Sequence, residues 1–181
     1  MSDFNHKNQE GDYQSIFDNA IEGIFQSSLE GRYLQVNPAM AQIYGYESPD
    51  EMVKLVTDIS RQIYVDIQTR KQFLDDLLKN GRVDGFEARN YRKDGSIIWT
   101  RTNARAVQDE NENTLYFEGF LTDITSRKEV EFALRSGEEK YRALVERLPG
   151  AVFLDAPYDI AGFRLEEMWR MVRSIEFKGG K

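Results

Sequence analysis

Three strand-like runs between residues 82 and 125 constrain this fold more strongly than any other feature of the sequence. They lie at 85–92, 96–107 and 115–123. The first two flank the pair Asp94-Gly95, which suits a tight hairpin because its central residues adopt positive φ angles. The last two flank a loop at 108–113 that contains no apolar side chain. The sequence therefore predicts an antiparallel meander of long strands.

The side chains of the middle strand divide into two faces, because successive residues of a strand point to opposite sides. Every second residue from Ile98 to Ala106 is uncharged, and Thr100 and Thr102 are among them. We expect this face to line the core. The opposite face carries several charges together with Trp99. A large aromatic residue in a polar setting predicts a surface that a helix or a partner covers.

A hairpin and several helices are predicted before the meander. Strands are predicted at 24–28 and 33–36, and helices are predicted to begin after Asp12, Asn37, Ser48 and Asp66. One face of the first helix is predicted to carry Tyr13, Ile16, Phe17, Ala20 and Ile21, and the apolar stripe of the helix at 66–80 to carry Ile67, Arg70, Phe73, Leu74, Leu77 and Leu78. Because the helices are predicted to lie between the hairpin and the meander, the predicted fold class is α+β with an antiparallel sheet.

The segment after residue 125 predicts a further helix. Ser126 and Glu129 fit a capping box, in which the first side chain caps the helix and the second reaches back to it. The apolar residues that follow at helical spacing are Val130, Ala133, Leu134, Tyr141, Leu144, Val145 and Leu148. Gly137 interrupts this stripe and weakens the helix. The stripe predicts either a parallel linker helix that dimerises or a helix folded against its own sheet.

Composition excludes several classes of function. The net charge of -7 argues against binding to nucleic acid or to acidic membrane surfaces. The absence of cysteine excludes disulfides, thiolate metal sites and cysteine nucleophiles, and it fits a reducing cytoplasm. No apolar run reaches the roughly 18 residues that a membrane span needs. The only histidine, His6, lies in a polar N-terminal stretch, where we expect a solvated side chain and no metal site.

The sequence offers no catalytic constellation, so we expect a protein that is not an enzyme. Asp75 and Asp76 are consecutive on a predicted helix, and their side chains diverge by about 100°, which does not suit an acid/base pair. No glycine-rich loop that could hold a phosphate is present. The predicted linker helix contains no histidine that a kinase could phosphorylate.

Taken together, the motifs of this chain resemble those of PAS sensor domains, of the PAS/PAC type found in bacterial sensory-box signalling proteins. They are Gly23-Ile24-Phe25, Glu30-Gly31, Val36-Asn37-Pro38-Ala39, Tyr44-Gly45-Tyr46, Arg92-Lys93-Asp94-Gly95 with Trp99, and Gly119 with Asp123-Ile124-Thr125 and Arg127-Lys128. They occur in the order typical of the family and cover residues 13–128. The resemblance implies a five-stranded antiparallel sheet in the order 2-1-5-4-3 that cups short helices on one face. It also implies a sensory or dimerising role.

Four segments are expected along the chain. They are a flexible N-terminus at 1–11, the PAS domain at 12–125, a linker helix at 126–148, and at 149–181 either the truncated start of a second PAS domain or a C-terminal tail. The second domain is suggested by an internal repeat, because the sequence from Tyr13 to Phe25 resembles the one from Tyr141 to Phe153. The residues after Phe153 are too few to complete a second domain, so we expect either a fragment of a longer receptor or a gene that ends early.

The resemblance places a ligand pocket between the inner face of the sheet and the helices. The candidate lining residues are Phe25, Met40, Ile43, Tyr44, Phe73, Phe86, Asn90, Ile98, Thr100, Thr102 and Leu121. The apolar members of this set fit an ordinary core equally well. Asn90, Thr100 and Thr102 are more informative, because a buried amide or hydroxyl needs a partner. That partner is a helix backbone, a water or a ligand.

The residues argue against the cofactors of the best-known PAS branches. The flavin–cysteine adduct needs a cysteine, and of the other flavin contacts implied by the resemblance only Asn90 matches, with Thr100 and Leu121 at the other two positions. Haem needs an axial histidine on the helix at 66–80, which has none. No cofactor is therefore certain, and a non-covalent flavin or another small organic ligand stays open.

The expected function is a cytoplasmic sensory module that senses a small ligand or a partner and dimerises through its linker helix and sheet face. The residues expected to relay the signal or to dimerise are Trp99, Asp123, Thr125, Val130, Leu134, Tyr141 and Leu144. A kinase or cyclase output module would lie in a longer parent protein. The alternative is a purely structural homodimerisation module, without a ligand, of a larger histidine kinase or cyclic-di-nucleotide signalling protein.

Overall fold

A single antiparallel sheet organises this protein, of which the computed structural model describes residue 12 and residues 14–146. Its five strands are β1 (Gly23–Ser27), β2 (Tyr33–Val36), β3 (Arg82–Tyr91), β4 (Ile97–Gln108) and β5 (Thr114–Asp123). They are arranged in the order β2-β1-β5-β4-β3. This confirms the predicted order and brings the first and last strands together at the centre of the sheet.

Four helices connect the hairpin to the meander, and a fifth follows the sheet. They are α1 (Pro38–Tyr44), α2 (Pro49–Leu55), α3 (Ile59–Gln62), α4 (Ile67–Asn80) and α5 (Thr125–Glu146). Of the first four, α1 packs on β1, α2 on β2 and α4 on β3 and β4. The predicted α+β class is therefore confirmed, with the core between the inner face of the sheet and these helices.

The helices begin where the sequence places capping residues. The side chain of Asn37 accepts a hydrogen bond from the Met40 amide, and the side chain of Ser48 accepts one from the Glu51 amide. Asp66 caps α4 in the same way through the Gln68 amide. These bonds satisfy amide groups that have no partner inside the helix. Local sequence is therefore sufficient to position these three helix starts.

Two glycines allow close approaches that a side chain would prevent. A Cβ atom added at Gly23 would lie 2.9 Å from the Sδ of Met40, so α1 packs directly on the backbone of β1. A Cβ atom added at Gly119 would lie 2.3 Å from the carbonyl oxygen of Asn103, in the neighbouring strand β4. Both contacts are shorter than van der Waals packing permits. These glycines belong to the motifs that the sequence singles out, and the packing gives them a structural reason.

The predicted apolar faces of two helices are broader than the structure allows. The first predicted helix is a short segment at 14–19 in which Phe17 is buried, while Ile16 and Ile21 are 70% and 94% exposed. The buried side of α4 is narrower than its predicted apolar stripe, because Ile67 and Leu78 are 49% and 57% exposed. In each case one narrow side of the helix contacts the domain. Periodicity identifies the direction of that side but overestimates its width.

The start of α5 differs from the prediction, in which Ser126 is the cap. The helix already begins at Thr125, because Asp123 Oδ1 accepts a hydrogen bond of 2.8 Å from the Thr125 amide. Ser126 therefore lies inside the helix. The helix also continues through Gly137. The chain divides into two compact units between Ser136 and Gly137.

Some expectations concern residues outside the described part. These are the flexible N-terminus at 1–11 and the second PAS domain or tail at 149–181. Within the part of the chain that the structure describes, no helix combines the length and the hydropathy that crossing a membrane requires.

Asn37 connects three parts of the domain through one side chain. Its Oδ1 accepts hydrogen bonds of 2.9 Å from the amides of Ile24 and Met40. Its Nδ2 donates to the carbonyl oxygens of Phe17 at 3.1 Å and Glu22 at 3.0 Å. The residue is completely buried. It therefore joins β1, α1 and the segment before β1.

We expect Asn37→Ala to lower the free energy of unfolding by about 3 kcal/mol, because it removes a cap and leaves buried peptide groups without partners. Urea denaturation measures the change. Asn111→Ala, at an exposed position in the loop between β4 and β5, serves as the control and should change stability by less than about 0.5 kcal/mol. Equal effects of the two substitutions would contradict this role of Asn37.

Candidate functional site

The helices and the inner face of the sheet enclose a small cavity of about 20 Å³. Its lining residues are Phe25, Ser27, Tyr33, Tyr44, Ile59, Tyr64, Arg70, Phe73, Asn90, Thr102 and Leu121. A polar cavity of this size holds about one water molecule. The interior of the cup is therefore nearly filled by the side chains of the protein itself.

The structure brings together only part of the predicted pocket. The predicted residues that line the cavity are Phe25, Tyr44, Phe73, Asn90, Thr102 and Leu121. Met40, Ile98 and Thr100 are buried in the adjoining core but do not line the cavity. Ile43 and Phe86 are half-buried and pack against that core. Whether any of these residues contacts a ligand stays a prediction.

Sequence reasoning missed five lining residues, which are Ser27, Tyr33, Ile59, Tyr64 and Arg70. Arg70 could have been found, because a charged residue stands inside the apolar stripe predicted for α4. Tyr64 is harder to find, since it lies in the connection between α3 and α4 and reaches the cup through a single bridge to Asn90. That bridge is a tertiary contact that has no local signal.

Arg70 places a positive charge inside the cup. The side chain is 5% exposed, and its guanidinium carbon lies 5.3 Å from the ring centre of Tyr64 and 5.2 Å from that of Phe73. Contacts with aromatic faces are favourable for a guanidinium. The Nε–H group, however, is buried without a hydrogen-bond acceptor. α4 holds the charge there because Arg70 and Phe73 are one turn apart on its buried side.

The tyrosines around this charge are uncharged. Burial raises the pKa of Tyr33, Tyr44 and Tyr64 above the usual value of 10.0, because loss of water disfavours the phenolate. Arg70 opposes the shift at Tyr33 and Tyr64 by its positive charge, but the effect of burial is larger. At neutral pH these residues contribute hydroxyl groups to the cup and no negative charge.

Asn90 and Thr100 differ in how far the protein satisfies them. The Thr100 hydroxyl donates to the Ala88 carbonyl oxygen at 3.5 Å, so its partner is the neighbouring strand. The Asn90 Nδ2 donates to the Tyr44 hydroxyl at 2.6 Å. The other end of the amide, Asn90 Oδ1, is buried without a donor. Asn90 is therefore the predicted polar residue that most needs a further partner.

A second group of residues joins the helices of the cup to α5. The Arg92 side chain donates from Nε to the Ile43 carbonyl oxygen and from a terminal nitrogen to Asp123 Oδ2, both at 2.8 Å. Asp123 Oδ1 accepts from the Thr125 hydroxyl at 2.5 Å, and the Thr125 hydroxyl accepts from the Trp99 amide at 3.0 Å. A continuous chain of hydrogen bonds thus runs from the end of α1 to the start of α5.

The first turns of α5 lie on the outer face of the sheet. Lys128 forms an ion pair of 2.7 Å with Glu87 on β3, and its ammonium lies 5.3 Å from the ring centre of Trp99 on β4. The hydrogen bond from Lys128 lowers the pKa of Glu87 and raises that of Lys128. The rings of Phe132 and Trp99 are 6.2 Å apart. Trp99 thus contacts this helix.

The remaining relay candidates lie on α5, and Val130, Leu134 and Tyr141 among them are exposed. Val130 and Leu134 are 70% and 65% exposed, and Tyr141, beyond the division of the chain, is 63% exposed. The side chain of Leu144 lies outside the described residues. The start of α5 is therefore attached to the sheet through Lys128 and Phe132, while Val130, Leu134 and Tyr141 have solvent around them.

The family model described as "PAS domain" matches residues 21–126, which include both the cup and the start of α5. The chain belongs to the PAS domain family. The cup of this PAS domain is the space between its inner sheet face and α1–α4, and its last matched residue lies at the start of α5.

Comparison with known proteins connects this PAS domain with signalling kinases. Sporulation kinase C of Bacillus subtilis (strain 168) is 24% identical over 131 residues, which are 72% of this chain and 30% of that protein. Sensor histidine kinase TmoS of Ectopseudomonas mendocina is 24% identical over 135 residues, which are 72% of this chain and 13% of that protein. The chain thus spans less than a third of either relative.

A solved structure supports the same relationship. It is the sensory box histidine kinase/response regulator from Burkholderia thailandensis E264, with 25% sequence identity and a TM-score of 0.57. The match covers 72% of this chain and 98% of that chain. The PAS domain is therefore homologous to domains of sensor histidine kinases, which supports a role in sensing signals.

We expect Thr125→Val to loosen the start of α5, because valine has nearly the same shape but can neither accept from the Trp99 amide nor donate to Asp123. Loss of a hydrogen bond worth about 1 kcal/mol should accelerate hydrogen exchange of the Trp99 amide about fivefold, as NMR would measure. Ser126→Ala, at the next and exposed position, should leave that rate unchanged. If the Trp99 amide exchanged at the same rate in Thr125→Val as in the wild type, its hydrogen bond to Thr125 would not hold the start of α5.

Proposed function

We propose that this PAS domain is a sensory module that senses a small ligand in its cup and relays the state of the cup to α5. The observation that carries this proposal is a pair of unsatisfied polar atoms, Arg70 Nε and Asn90 Oδ1, on residues that line one cavity. Buried polar groups in native proteins are nearly always hydrogen-bonded. An occupant of the cup would provide the missing partners.

The relay begins at Tyr44, which contacts both the cavity and the hydrogen-bonded chain that leads to α5. Its hydroxyl accepts from Asn90, and it follows Ile43, whose carbonyl oxygen accepts from Arg92. An occupant that displaces Tyr44 would move the last turn of α1 and with it the Arg92 side chain. Arg92 pairs with Asp123, which holds Thr125. A change inside the cup would thus alter how α5 starts.

The output of this relay is proposed to be a homodimer formed through α5 and the sheet face. Val130 and Leu134 are one turn apart, so they share one side of the helix, and both are largely exposed. Packing against the same side of a second copy would bury them. The outer sheet face also offers a groove of about 410 Å³, with Phe17, Ile24 and Phe120 among its lining residues.

The setting of this module is proposed from its relatives. Sporulation kinase C and TmoS are much longer than this chain, which is consistent with a kinase or cyclase output module in a longer parent protein. The PAS domain itself is proposed to be non-catalytic, to act in the cytoplasm and to bind no nucleic acid.

The alternative function is a structural homodimerisation module without a ligand. The observation in its favour is the size of the cavity, since about 20 Å³ leaves room for little more than one water. In that case the exposed residues of α5 would serve the same dimer, and the cup would be an ordinary core.

Native mass spectrometry of the purified chain, repeated after denaturation, separates the two functions. A sensor should show an extra mass that disappears on denaturation. Thr102→Leu, which fills the cavity, should remove that mass, whereas Thr122→Leu, on the outer side of β5, should keep it. A bare mass in every sample would favour the structural module over the sensor.

Substitution on α5 tests the dimer. We expect Leu134→Glu to convert a dimer into a monomer at micromolar concentrations, because a buried unpaired charge opposes helix pairing. Ser136→Glu adds the same charge at an exposed position on the other side of the helix and should leave the dimer intact. Native mass or light scattering reports the result. A wild-type monomer would contradict dimerisation through α5.

A further inference from the structure

Arg70 carries a buried positive charge for which the described residues provide no counter-charge. Its side chain is 5% exposed, and it forms no ion pair with a carboxylate among the described residues. Its Nε–H group has no acceptor. Arginine keeps its charge inside proteins, and buried charges are normally paired. The interior of this cup is therefore electrostatically incomplete.

The groups closest to Arg70 do not neutralise it. The rings of Tyr64 and Phe73 and the hydroxyl group of Tyr64 interact with Arg70, but none of these groups carries a negative charge. The hydroxyl groups of Tyr33, Tyr44 and Tyr64 remain protonated, because burial raises the pKa of each. The remaining lining residues with polar side chains, Ser27, Asn90 and Thr102, carry no charge. No lining residue of the cup therefore supplies a negative charge to Arg70.

We propose that the cup binds a small monovalent anion, a halide ion or a carboxylate of the size of formate, against the guanidinium of Arg70. This inference rests on the proposed sensory function and names the class of ligand that the cup would sense. The Nε–H group of arginine belongs to a planar set of donors that suits halides and carboxylates. The cavity of about 20 Å³ accommodates one monatomic ion, and the three heavy atoms of formate fit only if the lining side chains move.

Asn90 is compatible with such an anion. In the orientation described, Nδ2 donates to Tyr44 and Oδ1 has no donor. The oxygen and nitrogen of an amide are assigned from the hydrogen-bond network and can be exchanged. After the exchange, the Tyr44 hydroxyl donates to Oδ1, and the amide NH₂ becomes a second donor without an acceptor. An anion would then accept hydrogen bonds from both Arg70 and Asn90.

A single water is the competing occupant. It could accept from Arg70 Nε and donate to Asn90 Oδ1, which would satisfy both atoms. A water would still leave the charge of Arg70 uncompensated. The two occupants therefore differ in their response to anions in solution, and that response provides the test.

The test measures the thermal unfolding midpoint at constant ionic strength while sodium gluconate, whose anion is too large for the cavity, is replaced by sodium chloride or sodium formate. A bound anion should raise the midpoint by roughly 5 °C once its concentration exceeds the dissociation constant about tenfold. Above the dissociation constant, the midpoint should keep rising with the logarithm of the anion concentration. A response to chloride alone identifies a halide site, and a response to formate alone identifies a carboxylate site. A response to both identifies a site for small monovalent anions in general.

Two substitutions on α4 locate the site. Arg70→Met should abolish the anion-dependent rise, and Lys71→Met, which removes the same charge from an exposed position on the same helix, should keep it. Arg70→Lys keeps the charge but loses the planar donors, so it should respond more weakly. An absent rise in the wild-type chain, or an equal rise in Arg70→Met, would overturn the proposal.

A direct measurement remains if Arg70→Met does not fold. Wild-type crystals soaked in sodium bromide should show an anomalous scattering peak beside the Arg70 guanidinium, and a water there instead would overturn the anion. Native mass spectrometry keeps this failure separate from that of the sensory function. A neutral compound found in the cup would contradict the anion proposal but would still support the sensory function. Protein without a bound compound and without any response to anions would contradict both proposals.

Discussion

The interaction on which the arrangement of this protein most depends is the bridge that Arg92 forms between α1 and the end of β5. The guanidinium donates to the Ile43 carbonyl oxygen and to Asp123, each at 2.8 Å. A partly exposed ion pair adds little to stability, so the importance of this bridge is geometric. It ties the last turn of the helix that closes the cup to the residue that holds the start of α5. The end of α1 and the start of α5 are thereby joined through the side chains of Arg92 and Asp123.

The interior of the cup combines two properties that oppose each other. It is nearly filled, with about 20 Å³ left over, as expected of a core that has only to be stable. It also contains the buried charge of Arg70 and the unpaired oxygen of Asn90, which are costly in a core. Natural sequences keep such costly groups mainly where function requires them. This conflict within the cup is the strongest physical reason to regard it as a binding site.

The candidate site was predictable only in part, and particular residues show why. Asn90 and Thr102 are predicted because strand alternation places them on the core-facing side, where a buried amide or hydroxyl needs a partner. Tyr64 was not found, because its place in the cup depends on a bridge to a strand far along the chain. Arg70 was assigned to an apolar stripe, although only tertiary packing decides that it is enclosed. Ser126 fits a capping box by local pattern, but α5 begins at Thr125, whose hydroxyl accepts a hydrogen bond from the distant Trp99 amide on β4.

By itself, the sequence determined the strands, the capped helices and the family to which the chain belongs. These depend on local rules, such as alternation in strands, proline after a capping residue and glycine in turns, which act over a few neighbouring residues. Tertiary structure alone decided how much space remains in the cup, which polar atoms there lack partners, and which part of α5 touches the sheet. The physical reason is that burial and hydrogen-bond satisfaction are shared by residues distant in sequence, and no local pattern records their distances.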